Sequence, residues 1–269
     1  MNINPEIKPV DIDESKFNRL EHEVGAVKFS FPACLCGVGA VKAGKSTLMY
    51  NLITDKFNKV FEDRVILFSP SESDPIIRKL IDDDLIFAHF CNYSNETFRK
   101  VLDIIEANHK DHPHERWLIV FDDMLASMFK HNMSEEGRWL NSYISKYRHY
   151  PCEGVISLMF FSQYWKDYSV ILRCNSSHVL FIGQHSQKNK RTYAEELSGC
   201  FGGDEDKFND IWNQAKKGKF DFLTLDFNEL KAYRNFEEVL YDRDAENEMK
   251  KDEEGLKGSP DVEQNSDSE

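Results

Sequence analysis

A short apolar run at residues 33–38 leads directly into Gly39-Ala40-Val41-Lys42-Ala43-Gly44-Lys45-Ser46-Thr47. This stretch fits G-x-x-x-x-G-K-[ST], the pattern of a phosphate-binding P-loop. It constrains the fold because such a loop works only between a buried strand and the helix that the strand turns into. Its glycines let the backbone curl until the N–H groups point inward at phosphate oxygens. A helix starting near Gly44 adds the positive end of its dipole. Lys45 reaches toward the β- and γ-phosphates, and the Ser46 hydroxyl is suited to hold Mg²⁺. The chain is therefore expected to bind a nucleoside triphosphate through residues 39–47.

The rest of the sequence alternates in the same way. Strands are expected at residues 64–70, 85–90, 117–121, 155–161, 178–182 and 220–227. Helices are expected at 45–54, 75–82, 95–108, 135–148, 188–197 and 205–217. Buried strands that alternate with amphipathic helices give an α/β three-layer fold with a mostly parallel sheet. Residues 1–25 read as an N-terminal arm, 26–241 as the folded domain and 242–269 as a disordered acidic tail. That tail carries eleven acidic and four basic residues, over half of the net charge of −13, and no aromatic residue after Tyr241.

Composition removes several classes of protein. Hydrophobic residues make up 41% of the 269, enough for a sizeable core. The apolar runs, such as 155–161, are far too short to span a bilayer. The first residues carry no signal-peptide pattern, so a cytoplasmic or a nuclear location is expected. The six cysteines contain no Cys-x-x-Cys pair and no zinc spacing. Cys34 and Cys36 read as small residues on opposite faces of a buried strand, and His112-Pro113-His114 as a solvated loop.

Two further strands carry candidate chemistry. Residues 118–121 form an apolar run ending in Asp122-Asp123. A strand beside the P-loop strand delivers an Asp to Mg²⁺, and Asp122 fits that role. Asp123 then fits the polariser of the attacking water, with an N-cap pair opening the next helix as the alternative. The strand at 155–161 runs on into Ser162-Gln163, which puts an amide at the sheet edge where ligands bind. Gln163 is suited to bond the γ-phosphate or the attacking water, or else to cap a loop. Arg173 is a candidate arginine finger, in competition with Arg64, Arg78 and Arg148. Basic clusters at Lys188-Asn189-Lys190-Arg191, Lys216-Lys217-Gly218-Lys219 and Lys130-His131 are candidate contacts to a polyanion, or solvated surface.

Taken in order, these pieces resemble the viral genome-packaging ATPases of the FtsK–HerA superfamily. These occur in large nucleocytoplasmic DNA viruses including poxviruses, in virophages and in Polinton-like elements. The resemblance rests on residues 39–47, 117–123, Tyr147-Arg148-His149-Tyr150 ahead of the strand ending at Gln163, Ile171-Leu172-Arg173-Cys174-Asn175, and Asp221-Phe222-Leu223-Thr224-Leu225-Asp226. It covers about residues 29–236. It implies a RecA-like P-loop NTPase fold and ATP-driven, Mg²⁺-dependent translocation of double-stranded DNA into a preformed capsid. It also implies a ring of five or six copies, capsid or portal-vertex partners, residence in the host cytoplasm and virion, and a γ-phosphate sensor or finger role for Arg173. Many superfamily members carry Glu where this chain has Asp123. The shorter acid requires the water to sit closer, or to be shared with Gln163.

Two other readings share the P-loop. A small nucleotide or nucleoside kinase would add an Arg-x-x-x-Arg lid, and none is evident. A nucleotide-binding assembly or scaffold protein would rely on the acidic tail, and the second carboxylate, Asp123, argues against an inert binder.

Overall fold

The computed structural model describes residues 19–129 and 135–257. Strands β1 (Leu20–Val24) and β2 (Val27–Phe31) form a hairpin. Strand β3 (Cys34–Gly39) runs into the P-loop and helix α1 (Lys45–Asn51), which continues through a π-helical turn, Leu52–Lys56, to α2 (Asn58–Phe61). Then come β4 (Val65–Phe68), α3 (Pro75–Asp82), β5 (Ala88–Phe90), α4 (Asn95–Asp111), β6 (Trp117–Asp122), α5 (Leu125–Met128), α6 (Glu135–Ile144) and β7 (Ile156–Ser162). A 3-10 turn, Trp165–Asp167, precedes α7 (Val170–Asn175), β8 (His178–Ile182), α8 (Gln187–Leu197) and α9 (Glu205–Ala215). The chain continues through β9 (Phe222–Asp226), β10 (Lys231–Arg234) and β11 (Glu238–Asp242) into α10 (Arg243–Lys257).

Among the described residues one nine-stranded sheet has the order β11-β10-β9-β8-β3-β7-β6-β4-β5. The strands from β8 to β5 are parallel, whereas β9, β10 and β11 add on antiparallel. The central strands β3, β6 and β7 are buried at every position, as expected of strands covered on both faces. Alternation along them feeds two cores. Cys34, Cys36, Val38, Phe121 and Phe160 pack under α4, α6, α7, α8 and α9. Leu35, Val120, Met159 and Phe161 pack under α1, α3 and the β1–β2 hairpin. The two cysteines thus share one face, in contrast to the opposite faces expected, because residues two apart in a strand point the same way.

The register builds an aromatic ladder across four parallel strands. Phe90, Phe68, Phe121 and Phe160 stand in register and stack at ring separations of 5.0, 5.0 and 4.8 Å. Each such pair adds about 0.5–1.5 kcal/mol beyond the area it buries. The ladder fixes the relative height of β6 and β7, whose C-terminal ends carry Asp122 and Gln163.

Both ends of the folded region extend further than expected. Residues 20–24, assigned to the arm, pair with β2, and Val24 is buried. His22 seals the hairpin against Phe57 and contacts the Lys56 carbonyl at 2.6 Å. The strand expected to close the fold is followed by the β10–β11 hairpin, whose half-buried edge positions carry too weak an alternation to stand out. Residues 243–257 of the acidic tail are helical. Asp242 accepts from the N–H groups of Asp244 and Ala245, and Glu246 is paired with Lys207 (2.6 Å) and Lys250 (2.7 Å). Local charge pairing supports a helix that overall acidity obscures. The remainder of the arm and of the tail, and Lys130-His131, lie outside the described residues.

Candidate nucleotide-binding site

The P-loop leaves β3 at the centre of the sheet. Gly39 has no room for a side chain, since a Cβ there would stand 3.0 Å from the Ile182 carbonyl oxygen and 3.2 Å from Lys45 Cγ. The Ala43 N–H bonds back to the Ala40 carbonyl at 3.1 Å, closing the loop. Gly44 takes φ 101°, a conformation open to glycine, and sits at the N-cap of α1 without a side-chain cap. The first-turn N–H groups of α1 therefore have no capping side chain and open onto the hollow of the loop. Ser46 and Thr47 follow in that first turn, Ser46 half-buried and Thr47 exposed, while Val41 and Lys42 form the exposed crest of the loop.

Lys45 is 7% exposed, and its Nζ lies 3.8 Å from Asp123 Oδ2. Register explains the meeting. Asp122 pairs with Phe161 and Val38 pairs with Ser162, so the ends of β6, β7 and β3 lie side by side at one level. Asp122 is buried and accepts from the Ser69 hydroxyl at 3.2 Å. Burial, with the neighbouring Asp123 charge, pushes its carboxyl up to about 6, against the smaller opposing effects of Ser69 and Lys45. Asp123 has φ 49°, a left-handed conformation that few non-glycine residues hold, and its N–H bonds the Phe161 carbonyl at 3.0 Å. The turn takes its side chain off the strand toward Lys45. The capping alternative is not realised: α5 starts at Leu125, its N-cap is Met124, and no side chain caps it.

Gln163 is half-buried and immediately follows β7, level with the start of the P-loop. Ser162 before it donates to the Asp167 carboxylate. Arg173 lies elsewhere. It sits in the last turn of α7, paired with Glu196 of α8 and 5.6 Å from the centroid of the Trp165 ring. Glu196 also accepts from Trp165 Nε1 at 2.7 Å. Within one chain, then, Arg173 is engaged by Glu196 and the Trp165 ring. Of the other arginines, Arg64 is held by Glu62, Asp63 and Glu115, Arg78 donates to the Glu72 carbonyl, and Arg148 leans on Tyr147. Two contributors were not singled out from sequence. Ser69 immediately follows β4 and donates to Asp122; Glu196 anchors Arg173. A hydroxyl at the tip of a parallel strand is the available signal for Ser69; nothing in the sequence marks Glu196.

These residues fit a magnesium-bound triphosphate. The cradle is tight at Gly39, and Gly44 opens the helix in a left-handed conformation with no capping side chain. Lys45 is buried and aimed across it. Asp122 is a buried acid with no full cation partner, and the Ser46 hydroxyl stands in the first turn of α1, an all-oxygen pair of the kind Mg²⁺ prefers.

No protein-family model and no curated protein matches the chain. Solved structures do match in fold. The genome packaging NTPase B204 from Sulfolobus turreted icosahedral virus 2, in complex with AMP, superposes with a TM-score of 0.54 at 15% identity, over 76% of this chain and 97% of that one. The same protein in complex with AMPPCP gives 0.54 at 14% identity over the same shares. B204, the DNA-packaging ATPase from Sulfolobus turreted icosahedral virus, gives 0.56 at 12% identity, again over 76% and 97%. The chain therefore has the mixed α/β fold of these P-loop proteins, built on the large, mostly parallel sheet expected from the sequence. Among the described residues no helix is long and apolar enough to cross a membrane.

Proposed function

We propose that this chain is an ATP-hydrolysing motor that drives double-stranded DNA into a viral capsid. The observation that carries the reading is the convergence of Lys45, Asp122 and Asp123 at one edge of the sheet, with the Lys45–Asp123 separation at 3.8 Å. The fold neighbours described as packaging ATPases, which the chain covers over nearly their whole length, support it.

In this reading the P-loop N–H groups and Lys45 hold the β- and γ-phosphates. Ser46 and Asp122 would hold magnesium, which when bound would offset the charge that spreads during transfer. Asp123 orients a water in line with the γ-phosphorus. The water oxygen forms the new bond as the bond to the bridging oxygen breaks, Asp123 takes the proton, and ADP and phosphate leave. Gln163 bonds the water or the γ-phosphate and relays its loss to β7. Arg173 acts on a neighbouring copy's nucleotide in a ring of five or six subunits. The exposed Tyr164, Val170 and Ile171, on the same stretch of chain as Arg173, suit such a contact between copies. Capsid or portal-vertex proteins are the docking partners, and the host cytoplasm and the virion are where it works.

ATP turnover measured with and without double-stranded DNA tests this. The expected result is stimulation by DNA of any sequence, weakening steeply with salt. Phosphoryl transfer to a nucleoside with no response to DNA would overturn it. Mixing Arg173→Ala with Asp123→Asn subunits should restore part of the activity that each has lost, because a mixed ring rebuilds some complete interfaces.

A further inference from the structure

We propose that the loop joining α9 to β9 is the platform for the nucleotide base, with Phe220 as the stacking ring. This rests on the reading that the P-loop holds a triphosphate, and adds where the base lies and how it is held.

The strand order sets the direction. β7 and β6, carrying Gln163 and Asp123, lie on one side of β3, while β8 and β9 lie on the other. Lys45 leans toward Asp123, so the transferring phosphate faces the β6 side. A nucleoside triphosphate laid across the loop then brings its base out over β8 and β9. Phe220 stands there, two residues before β9 begins. Its Cδ1 is 3.9 Å from the position a Cβ on Gly44 would occupy, which places the ring against the cradle. Phe220 is 66% exposed, a large apolar side chain beside a polar hollow.

The loop is held at both ends. The Gly218 N–H donates to Asp221 Oδ2 at 2.7 Å, and Asn235 Nδ2 donates to Asp221 Oδ1 at 3.2 Å. The half-buried Lys216 ammonium donates to the carbonyls of Phe181 and Asp221, so it is a fastener of the loop and not a free polyanion contact. Lys219 Nζ lies over the Phe220 ring, 5.1 Å from its centroid, and a stacked base would take its place or the opposite face. A face-on aromatic holds any base, since every base offers a π-face.

The test compares two probes with Mg²⁺: the β,γ-methylene analogue of ATP, and inorganic tripolyphosphate, which has no base. For Phe220→Leu the expected result is about tenfold or weaker binding of the analogue, tripolyphosphate affinity unchanged, and recovery in Phe220→Trp. Unchanged analogue binding in Phe220→Leu, equal weakening of both probes, or failure of Phe220→Trp to restore binding would overturn the proposal. Wild-type protein that binds neither probe would instead remove the phosphate-site reading, and this inference with it.

Discussion

Two buried aspartates end two strands of the same sheet, at opposite edges. Asp122 closes β6 at the P-loop edge; Asp226 closes β9 at the far edge, because β9 runs antiparallel to β8. Burial works to raise both carboxyls. At Asp226 it is outweighed. His178, its register partner on β8, faces it at 3.6 Å, and the N–H groups of Asn228 and Glu229 donate to it at 2.8 and 3.2 Å, so its net shift is downward. At Asp122 the neighbour is another acid, and the carboxyl is left near 6 with only a hydroxyl donor at full hydrogen-bond distance. One residue type in one kind of position thus stands in two electrostatic settings. The far-edge acid is set against a histidine and two backbone N–H groups, whereas the acid at the P-loop edge stands beside a like charge, an arrangement common at sites of chemistry.

The contrast can be broken by exchanging consequences. The largest expected effect is on turnover: Asp122→Asn should cut ATP hydrolysis at least about 100-fold. The same change should leave Tm unchanged or raise it, because it removes a buried charge beside a like charge. A fall of several degrees would show that Asp122 is structural after all. Next in size is Asp226→Ala, which leaves two N–H groups without their acceptor and removes the acid that faces the buried His178. It should cost about 3–5 kcal/mol and lower Tm by roughly 10 °C, with turnover per folded molecule intact. Lost turnover in protein of normal stability would join the two edges functionally.

The smallest effect is in pH. Folded Asp122 keeps its proton until about pH 6, and an unfolded Asp releases it near 3.8. Its contribution to stability therefore falls as pH rises through that window. Mg²⁺ requires the ionised form. Its affinity, measured by titration in saturating ADP, should plateau above pH 7 and be about tenfold weaker at pH 5. Flat behaviour between pH 5 and 7 would place the Asp122 carboxyl in the ordinary range and remove half of the contrast.

Much of the P-loop edge was legible in the sequence because its chemistry is local. Gly39 to Thr47 must be consecutive for the backbone to curl, and Asp122-Asp123 must follow an apolar strand directly. The far edge was not legible. His178 and Asp226 are 48 positions apart and meet only through the β8–β9 register. The helix in the acidic tail is also paired with Lys207, in another helix, a contact that no local pattern announces.

By itself the sequence determined the alternation of buried strands and amphipathic helices, the phosphate cradle and the paired acids, since periodicity and contiguous motifs are properties of neighbouring residues. Tertiary structure decided that Asp123 faces Lys45 and Asp226 faces His178, that Arg173 is held by Glu196, and that Phe220 comes to rest against Gly44. Those are meetings across the sheet, set by strand order and register, and contacts between distant positions leave no pattern along a single chain.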